Sequence, residues 1–309
     1  TAPFFCAASR WFPRFFQILL AETADRRTML GIDLGNTNCS VAVMRTAGIE
    51  VIANEQGSRL TPAVVAFTEA EQLIGEPAKG QSARNGANTV VDIALLLGRS
   101  WDDEVLQAAL PRWRFKVAHA AKGEGVQVNV VLKGEQKSFT PPRLASLLLG
   151  QLRSTAEALI GATAKEAVLA VPEGMAEVRR QALQEAAALS GMRVKQTLSA
   201  PLAVALLFGS EHEPLEPPAA AEGGAPEAPP PPQQLLVVDV GGSSCCVAVV
   251  QRSYTPLQPE AESQGALKVA RGGGGSEEYV VRACVRDDGL GASTVDGRPP
   301  PPPPPPPPP

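Results

Sequence analysis

One stretch of this 309-residue chain carries the residue types that can bind phosphate. In residues 31–44, Asp33 precedes a turn made of Gly35, Asn36 and Thr37, with apolar segments on both sides. Such a turn presents backbone N–H groups to an anion, because no bulky side chain blocks the approach. Asp33 can hold a magnesium ion through water, since this hard cation prefers oxygen ligands. Taken alone, the pattern also fits an ordinary β-turn.

A second copy of the pattern makes the first more significant. Residues 237–250 align with the first stretch without a gap, so that Asp239 falls on Asp33 and Gly241 on Gly35. Internal repeats are a stronger signal than single motifs, and this one predicts two related lobes around one nucleotide. The predicted binding residues are Asp33, Gly35, Asn36, Thr37, Asn38, Asp239, Gly241, Gly242, Ser243 and Ser244, with Asp33 and Asp239 holding magnesium through water.

The composition limits the other functions. A hydrophobic content of 44% allows a packed core, and a net charge of -4 gives no electrostatic case for nucleic-acid binding. The five cysteines form no CxxC pair, which favours a reduced, cytoplasmic setting. The two histidines, His119 and His212, offer little material for a zinc site or for histidine-based catalysis.

The elements that must position these residues alternate between strands and helices. The patterns predict strands at roughly 30–34, 38–45, 49–53, 62–67, 115–117, 126–133, 167–171 and 193–198. They predict helices at 76–110, from the Thr140 cap to Gly161, from about 175 to 190, and at 201–208. This series indicates a sheet with helices packed on it. After Val250 the strand signal weakens, apart from an apolar stretch at 279–285.

The chain is expected to have five segments. Low-complexity segments cannot bury enough apolar surface to fold, and the apolar patch near the start is too short to span a membrane. The segments are a leader or upstream read-through (1–28) with Met29 as the expected true start, a first lobe (29–210), a disordered Pro/Ala/Glu-rich insertion (211–234), an incomplete start of the second lobe (235–285), and a disordered polyproline tail (286–309).

With both turns in view, the chain resembles the nucleotide-binding domain of the 70-kDa heat-shock (DnaK-type) chaperones. Residues 31–44 and 239–244 are similar to the two phosphate hairpins of that family, and Pro172 to its hinge proline. Further matches lie at 51–59, 61–67, 75–79, 88–90 and 97–99, so that the resemblance covers about 29–255. It implies an α/β fold of the actin-like ATPase (ribonuclease H-like) type, with the first lobe and the opening strands of the second, and binding of ATP with magnesium.

Departures from the family pattern indicate weak catalytic activity. Ala94 stands where the family has a lysine, Ala200 where it has a glutamate, and Cys246 where it has an aspartate. Asn36 replaces a threonine, while Arg180 resembles the retained arginine partner of the hinge proline. Groups of the lost kind are typically worth ~10²–10³ in rate. The resemblance therefore implies ATP binding with impaired hydrolysis, and no residue is assigned a catalytic role.

The same combination resembles the Hsp-like subunit of the ribosome-associated complex. That resemblance implies a J-domain co-chaperone and the ribosome as partners, with unfolded or nascent polypeptide met indirectly, and no direct contact with nucleic acid or membrane. No match to the rest of the second lobe or to a peptide-binding domain follows Val250, so a truncated domain is expected. The alternatives are an active chaperone ATPase whose missing groups are replaced from elsewhere, a sugar or acetate kinase, and a non-functional fragment.

Overall fold

The computed structural model describes residues 4–6, 28–45, 48–120, 125–212, 215, 230–256, 266–271 and 275–291. Strands β1 to β17 are Phe4–Cys6, Met29–Leu34, Asn38–Arg45, Gly48–Val51, Thr61–Pro62, Val65–Phe67, Gln72–Ile74, Thr89–Val90, Lys116–His119, Val126–Leu132, Glu135–Phe139, Glu166–Val171, Arg193–Ser199, Gln233–Val240, Cys245–Pro256, Ala266–Arg271 and Gly275–Asp287. Helices α1 to α6 are Glu76–Lys79, Ile93–Leu96, Glu104–Ala109, Pro141–Ile160, Glu177–Leu189 and Ala200–Glu211. Among the helices of these ranges, none has the length and apolar character needed to cross a membrane.

The first large sheet is organised around β2. Its strand order is β13-β12-β2-β3-β4, and β5 also pairs with β3. β12 lies parallel to β2 and to β13, whereas β3 is antiparallel to β2. Both faces of this sheet are covered, which is why β2 is an almost continuous apolar run and not an alternating one. The carboxyl end of β2 leads into the first predicted phosphate turn.

One face of the first sheet packs against α4 and α5. Leu30 and Ile32 of β2 are buried in a core cluster with Leu148 and Leu152 of α4 and Leu183 of α5. The predicted boundaries of α4 are confirmed: the Thr140 hydroxyl accepts from the Arg143 N–H at 3.4 Å, and Gly161 has a left-handed φ of 68° that ends the helix. This core holds the turn after β2 against a rigid base.

The opposite face of the first sheet packs on α6, which also contacts the second large sheet. Met29 and Val168 of the first sheet, Leu206 of α6, and Val237 and Val250 of the second sheet belong to one buried cluster. The second sheet has the order β1-β14-β15-β17-β16. A helix that is apolar around its whole circumference, as α6 is, suits a position between two sheets. The shared helix therefore joins the two sheets that carry the repeated turns.

A buried ionic cluster lies under the second sheet. Arg252 and Glu277 are each 1% exposed, and Nε of Arg252 donates to the Glu277 carboxylate at 3.1 Å. The Tyr279 hydroxyl donates to the same carboxylate at 2.6 Å, and the Leu215 N–H donates at 3.1 Å. Although burial opposes ionisation, these donors lower the pKa of Glu277 to about 2. The charge is thus stabilised by its partners, as a buried ion requires.

Several expected elements differ in the structure. The helical stretch predicted at 76–110 is broken into α1, α2 and α3, with a two-residue strand between α1 and α2, because Gly80, Gly86 and Gly98 interrupt that segment. The strand signal expected to weaken after Val250 continues, since β15 reaches Pro256 and pairs with β17 over its whole length. The charged residues of β17 hid its strand character from a hydrophobic pattern.

The two chain ends also depart from the expected segments. The leader expected to lie apart from the fold contributes Phe4–Cys6, which pairs in parallel with the edge of β14, where unpaired backbone groups are free to accept a strand. Residues 286–291, expected to belong to the tail, are part of the fold, because β17 continues to Asp287 and Gly291 packs on the second turn. The rest of the leader (1–3 and 7–27), most of the 211–234 insertion and residues 292–309 lie outside the described residues.

Candidate functional site

The two repeated stretches form hairpins of the same register. In the first, Leu34 lies opposite Cys39, and in the second Val240 lies opposite Cys245, so that each turn occupies the same number of residues. The gapless alignment made from the sequence is therefore also a structural alignment. It places Asp33 and Asp239 at the same position, one residue before the end of the first strand of each hairpin.

The first turn is tightly held. A Cβ added to Gly35 would lie 2.5 Å from the backbone oxygen of Asn38, so only glycine fits there. The carbonyl of Thr37 accepts from the Ala63 N–H at 2.9 Å, and Asn38 pairs with Pro62 of β5. Strand β5 thus fixes this turn from outside the hairpin.

The two turns contact each other. The side-chain amide of Asn36 donates to the Ser243 hydroxyl at 2.8 Å, although 207 positions separate the two residues in the chain. The Thr37 side chain packs against Gly242 so closely that no Cβ would fit at that glycine. Sequence repeats cannot show that two turns meet, and here they do.

A cavity of about 330 Å³ lies beside the paired turns, within the range of small-molecule sites. Its lining includes every residue that the sequence predicted to bind, namely Asp33, Gly35, Asn36, Thr37, Asn38, Asp239, Gly241, Gly242, Ser243 and Ser244. Ala94, Ala200 and Pro172 also line it. The prediction thus selected residues that come together in space, from two sheets.

The two carboxylates face one cavity, where burial and the charge of Asp239 disfavour the ionised form of Asp33. Burial raises the pKa of Asp33 to about 7, and the Asp239 charge adds to that rise. Burial also raises the pKa of Asp239, while Arg286 opposes the shift. A divalent cation would relieve both the burial cost and the repulsion, so this donor set fits magnesium, which is typically bound by one or two carboxylates with water and phosphate. Within the described ranges, no group of three or more His, Cys, Asp or Glu side chains could hold a metal ion by itself. Magnesium at Asp33 and Asp239 would therefore need water and phosphate as its other ligands.

Cys246, the predicted replacement for an acidic residue, lies behind the cavity wall. It is buried opposite Asp239, and its sulfur lies 3.3 Å from that of Cys284. Burial and the Cys284 thiol raise the pKa of Cys246 to about 12. It is therefore a neutral thiol at pH 7 and brings no negative charge to the site.

The cavity also has a basic side, which the sequence did not predict. Arg99, Arg179, Arg286 and Asp288 line it. Arg99 donates to both oxygens of Asp103 at 2.8 Å, and Arg286 donates to Asp288 at 2.6 Å and to the Ser244 hydroxyl at 3.1 Å. Arg99 fell within a matched motif but had no assigned role. Nothing in the local pattern distinguishes the other residues from ordinary charged positions.

Arg180, expected to act with Pro172, has a different position from its neighbour Arg179. Its guanidinium donates to the Thr197 hydroxyl at 2.7 Å and to the Met175 carbonyl at 3.1 Å. Pro172 lines the cavity at the end of β12, whereas Arg180 is absent from the lining and ties α5 to β13. Pro172 therefore lines the cavity and Arg180 does not, although both residues lie near the ends of β12 and β13.

Two hairpins that face one cavity, on sheets joined by a shared helix, define a nucleotide-binding α/β domain of the actin-like ATPase type. The sequence model of the family described as "Hsp70 protein" matches residues 29–259, and the chain belongs to this family. The matched region is the nucleotide-binding domain of an Hsp70-type chaperone. The predicted family and the predicted fold class are both confirmed.

Individual relatives agree with the family match. The chain is 43% identical over 180 residues to "Heat shock 70 kDa protein" of Ajellomyces capsulatus, covering 58% of this chain and 25% of that protein. It is 42% identical over 180 residues to a protein of Eremothecium gossypii named as a ribosome-associated molecular chaperone, covering 58% and 29%. It is 39% identical over 182 residues to "Heat shock cognate 70 kDa protein 3" of Dictyostelium discoideum, covering 59% and 29%. The chain thus spans less than a third of the length of these relatives.

Proposed function

We propose that this chain binds ATP with magnesium in the cavity between the two hairpins, and that its hydrolysis of ATP is impaired. The observation that carries the proposal is the placement of Asp33 and Asp239 at equivalent hairpin positions, on the wall of one cavity. Burial raises the pKa of both carboxyls, so a bound cation would stabilise their charged forms. Magnesium-ATP would supply that cation together with a phosphate anion for the turns.

The residues present divide the work of binding. Asp33 and Asp239 would hold the magnesium ion through water, and when bound the ion would neutralise charge on the phosphate oxygens. The hydroxyls of Thr37, Ser243 and Ser244 and the backbone N–H groups of both turns would hydrogen-bond phosphate. The contact between the turns orients these donors toward one ligand.

Impaired hydrolysis is supported by what the cavity wall lacks. Ala94 and Ala200 present only methyl groups to the cavity, where the family resemblance implies a lysine and a glutamate. Cys246 is a neutral thiol behind Asp239, where the resemblance implies a carboxylate. Preorganised charges of this kind usually contribute most to such a rate. Their joint loss would leave binding intact and the chemical step slow.

The cellular role that we propose is that of a cytoplasmic chaperone or co-chaperone that assists the folding of nascent chains, with a J-domain partner at the ribosome. Support comes from the Eremothecium gossypii relative, whose name describes a ribosome-associated molecular chaperone. Sedimentation of the tagged protein with ribosomes through a sucrose cushion, at low and high salt, tests this part. A protein found only in the supernatant at low salt would overturn the ribosomal role and leave ATP binding untouched.

Calorimetric titration of the full chain with ATP, with magnesium and with excess chelator, tests the binding proposal. We expect binding that depends on magnesium, and a rise in melting temperature with ligand, because a ligand that binds only the folded state stabilises it. Single-turnover measurement with radiolabelled ATP tests the hydrolysis proposal. No heat and no thermal shift would overturn binding, and turnover at the rate of an ordinary Hsp70 in the same assay would show an active ATPase instead.

A further inference from the structure

The basic side of the cavity contains three guanidinium groups with different electrostatic surroundings. Arg99 is paired with Asp103 at 2.8 Å and with Asp288 at 3.4 Å, and Arg286 is paired with Asp288 at 2.6 Å. In the part of the chain that the structure describes, Arg179 has no carboxylate within the 4.0 Å of an ion pair. Among the described residues, two of the three guanidinium groups therefore have an ion-pair partner, and Arg179 has none.

Backbone carbonyls hold Arg179 in place. Its Nε donates to the Leu97 carbonyl at 3.2 Å and one terminal nitrogen donates to the Ala94 carbonyl at 3.3 Å. A guanidinium has five N–H donors, so three remain for a ligand. Burial, with repulsion from Arg99, lowers the pKa of Arg179 to about 10, and the group therefore remains charged at neutral pH.

A close approach of two backbone segments fixes where this charge lies. Gly98 has a φ of +64°, and a Cβ at this position would lie 2.6 Å from the Cα of Arg179. The first turn of α5 can therefore dock directly on the turn that follows Leu97. This packing brings Arg179 to the wall of the cavity that Ala94 and Asp33 also line.

We infer that Arg179 is a further residue that binds the phosphate chain of the nucleotide, as a cation held by two backbone carbonyls and, among the described residues, without an ion-pair partner. The inference rests on the proposed function, because it names a binding residue of the same site. Magnesium at Asp33 and Asp239 and the guanidinium at Arg179 would then hold the polyphosphate from different walls of the cavity. A planar guanidinium suits this ligand because it can donate two parallel hydrogen bonds to phosphate oxygens.

The test compares Arg179→Gln with Arg180→Gln in the full chain. Arg180 is the matched control, since it occupies the next position of α5, bonds Thr197 and does not line the cavity. We expect Arg179→Gln to weaken binding of magnesium-ATP and of magnesium-pyrophosphate by roughly 10–100-fold, and Arg180→Gln to leave both unchanged. Arg179→Lys, which keeps the charge and loses the fork, should be intermediate. The affinity of Arg179→Gln should also depend less steeply on salt, which a purely structural role would not change.

A second measurement uses the unmodified protein. Phenylglyoxal modifies accessible arginine side chains, and mass spectrometry gives the extent at each position. We expect magnesium-pyrophosphate to protect Arg179 and not Arg180. Wild-type protein that binds neither ATP nor pyrophosphate would overturn the proposed function, and the inference with it. Wild-type binding with an equal affinity for Arg179→Gln, or with Arg179 unprotected, would overturn this inference alone.

Discussion

The two hairpins have the same register and the same order of residue types, but their carboxylates have different surroundings. Asp33 is the next-to-last residue of a strand in the middle of a sheet covered on both faces, and Ser40 is its cross-strand partner. Asp239 is the next-to-last residue of its strand with Cys246 opposite, and the guanidinium of Arg286 counteracts the rise of its pKa. The same local pattern therefore gives a deeply desolvated carboxylate in one lobe and a partly compensated one in the other.

The two hairpins therefore share their backbone geometry, but the free-energy cost of ionising their carboxylates differs. Backbone register in a hairpin is set by the length of the turn, which both stretches share. Desolvation is set by what covers each hairpin, and among the described residues the first hairpin contributes to two buried clusters and the second to one. If this comparison is right, equivalent substitutions in the two hairpins must have unequal effects.

The largest expected difference is steric, between Gly35→Ala and Gly241→Ala. A Cβ at Gly35 would lie 2.5 Å from the Asn38 backbone oxygen, whereas one at Gly241 would lie 3.4 Å from the Ser244 oxygen, an ordinary contact. We expect Gly35→Ala to lower the free energy of unfolding by about 1–3 kcal/mol and Gly241→Ala to change it by less than about 0.5 kcal/mol. Urea denaturation followed by circular dichroism measures both, and equal losses would mean that the turns are not distinct.

The next comparison removes one charge from each hairpin, with Asp33→Asn and Asp239→Asn. We expect Asp33→Asn to weaken magnesium-dependent ATP binding by about 10–100-fold, and Asp239→Asn to weaken it less, because Arg286 already offsets part of its charge. The first variant should also melt at a higher temperature without ligand, since a buried unpaired carboxylate costs stability. Asp102→Asn, on an exposed side chain, is the control. A larger loss for Asp239→Asn would reverse the proposed ranking.

The pH dependence gives a smaller effect of definite sign. The pKa of Asp33 is raised to about 7, so protons compete with magnesium below neutral pH. We expect the affinity for magnesium-ATP to fall by up to about tenfold from pH 7 to pH 6. The same rise means that the folded state binds more protons than the unfolded state below pH 7. Stability without ligand should therefore fall as pH increases toward 7, and calorimetry should show that Asp33→Asn flattens this trend. An unchanged slope would exclude Asp33 as the titrating group.

The sequence predicted the parts of the site that depend on local geometry. An aspartate before a glycine-containing turn and a gapless repeat were enough to find both turns and to equate Asp33 with Asp239. The helix caps at Thr140 and Gly161 were equally local, and the structure confirms them. Such features depend only on residues that are close together in the chain.

Residues that act from other elements could not be found in this way. Arg179 reaches the cavity because Gly98 lets α5 approach, and Arg286 because β17 pairs with β15 along its whole length. Strand β17 mixes charged and apolar residues without regular alternation, and its partner in the pairing is fixed only by the fold. The basic side of the site is formed by long-range packing. The spacing of residues in one sequence does not reveal that packing.

The smallest expected effect concerns the hydrogen bond between Asn36 of the first turn and Ser243 of the second. Asn36 donates to the Ser243 hydroxyl at 2.8 Å, in a partly buried position. A neutral hydrogen bond of this kind contributes about 0.5–1.5 kcal/mol. In a double-mutant cycle of Asn36→Ala and Ser243→Ala, we expect a coupling energy of that size in the ATP binding free energy, because the bond aligns donors from both hairpins on one ligand. The pair Asn36→Ala and Ser244→Ala is the control, since Ser244 bonds Arg286 instead, and its two changes should be additive. Additivity in the first cycle as well would mean that the hairpins bind phosphate independently, and the comparison between them would then concern two separate half-sites.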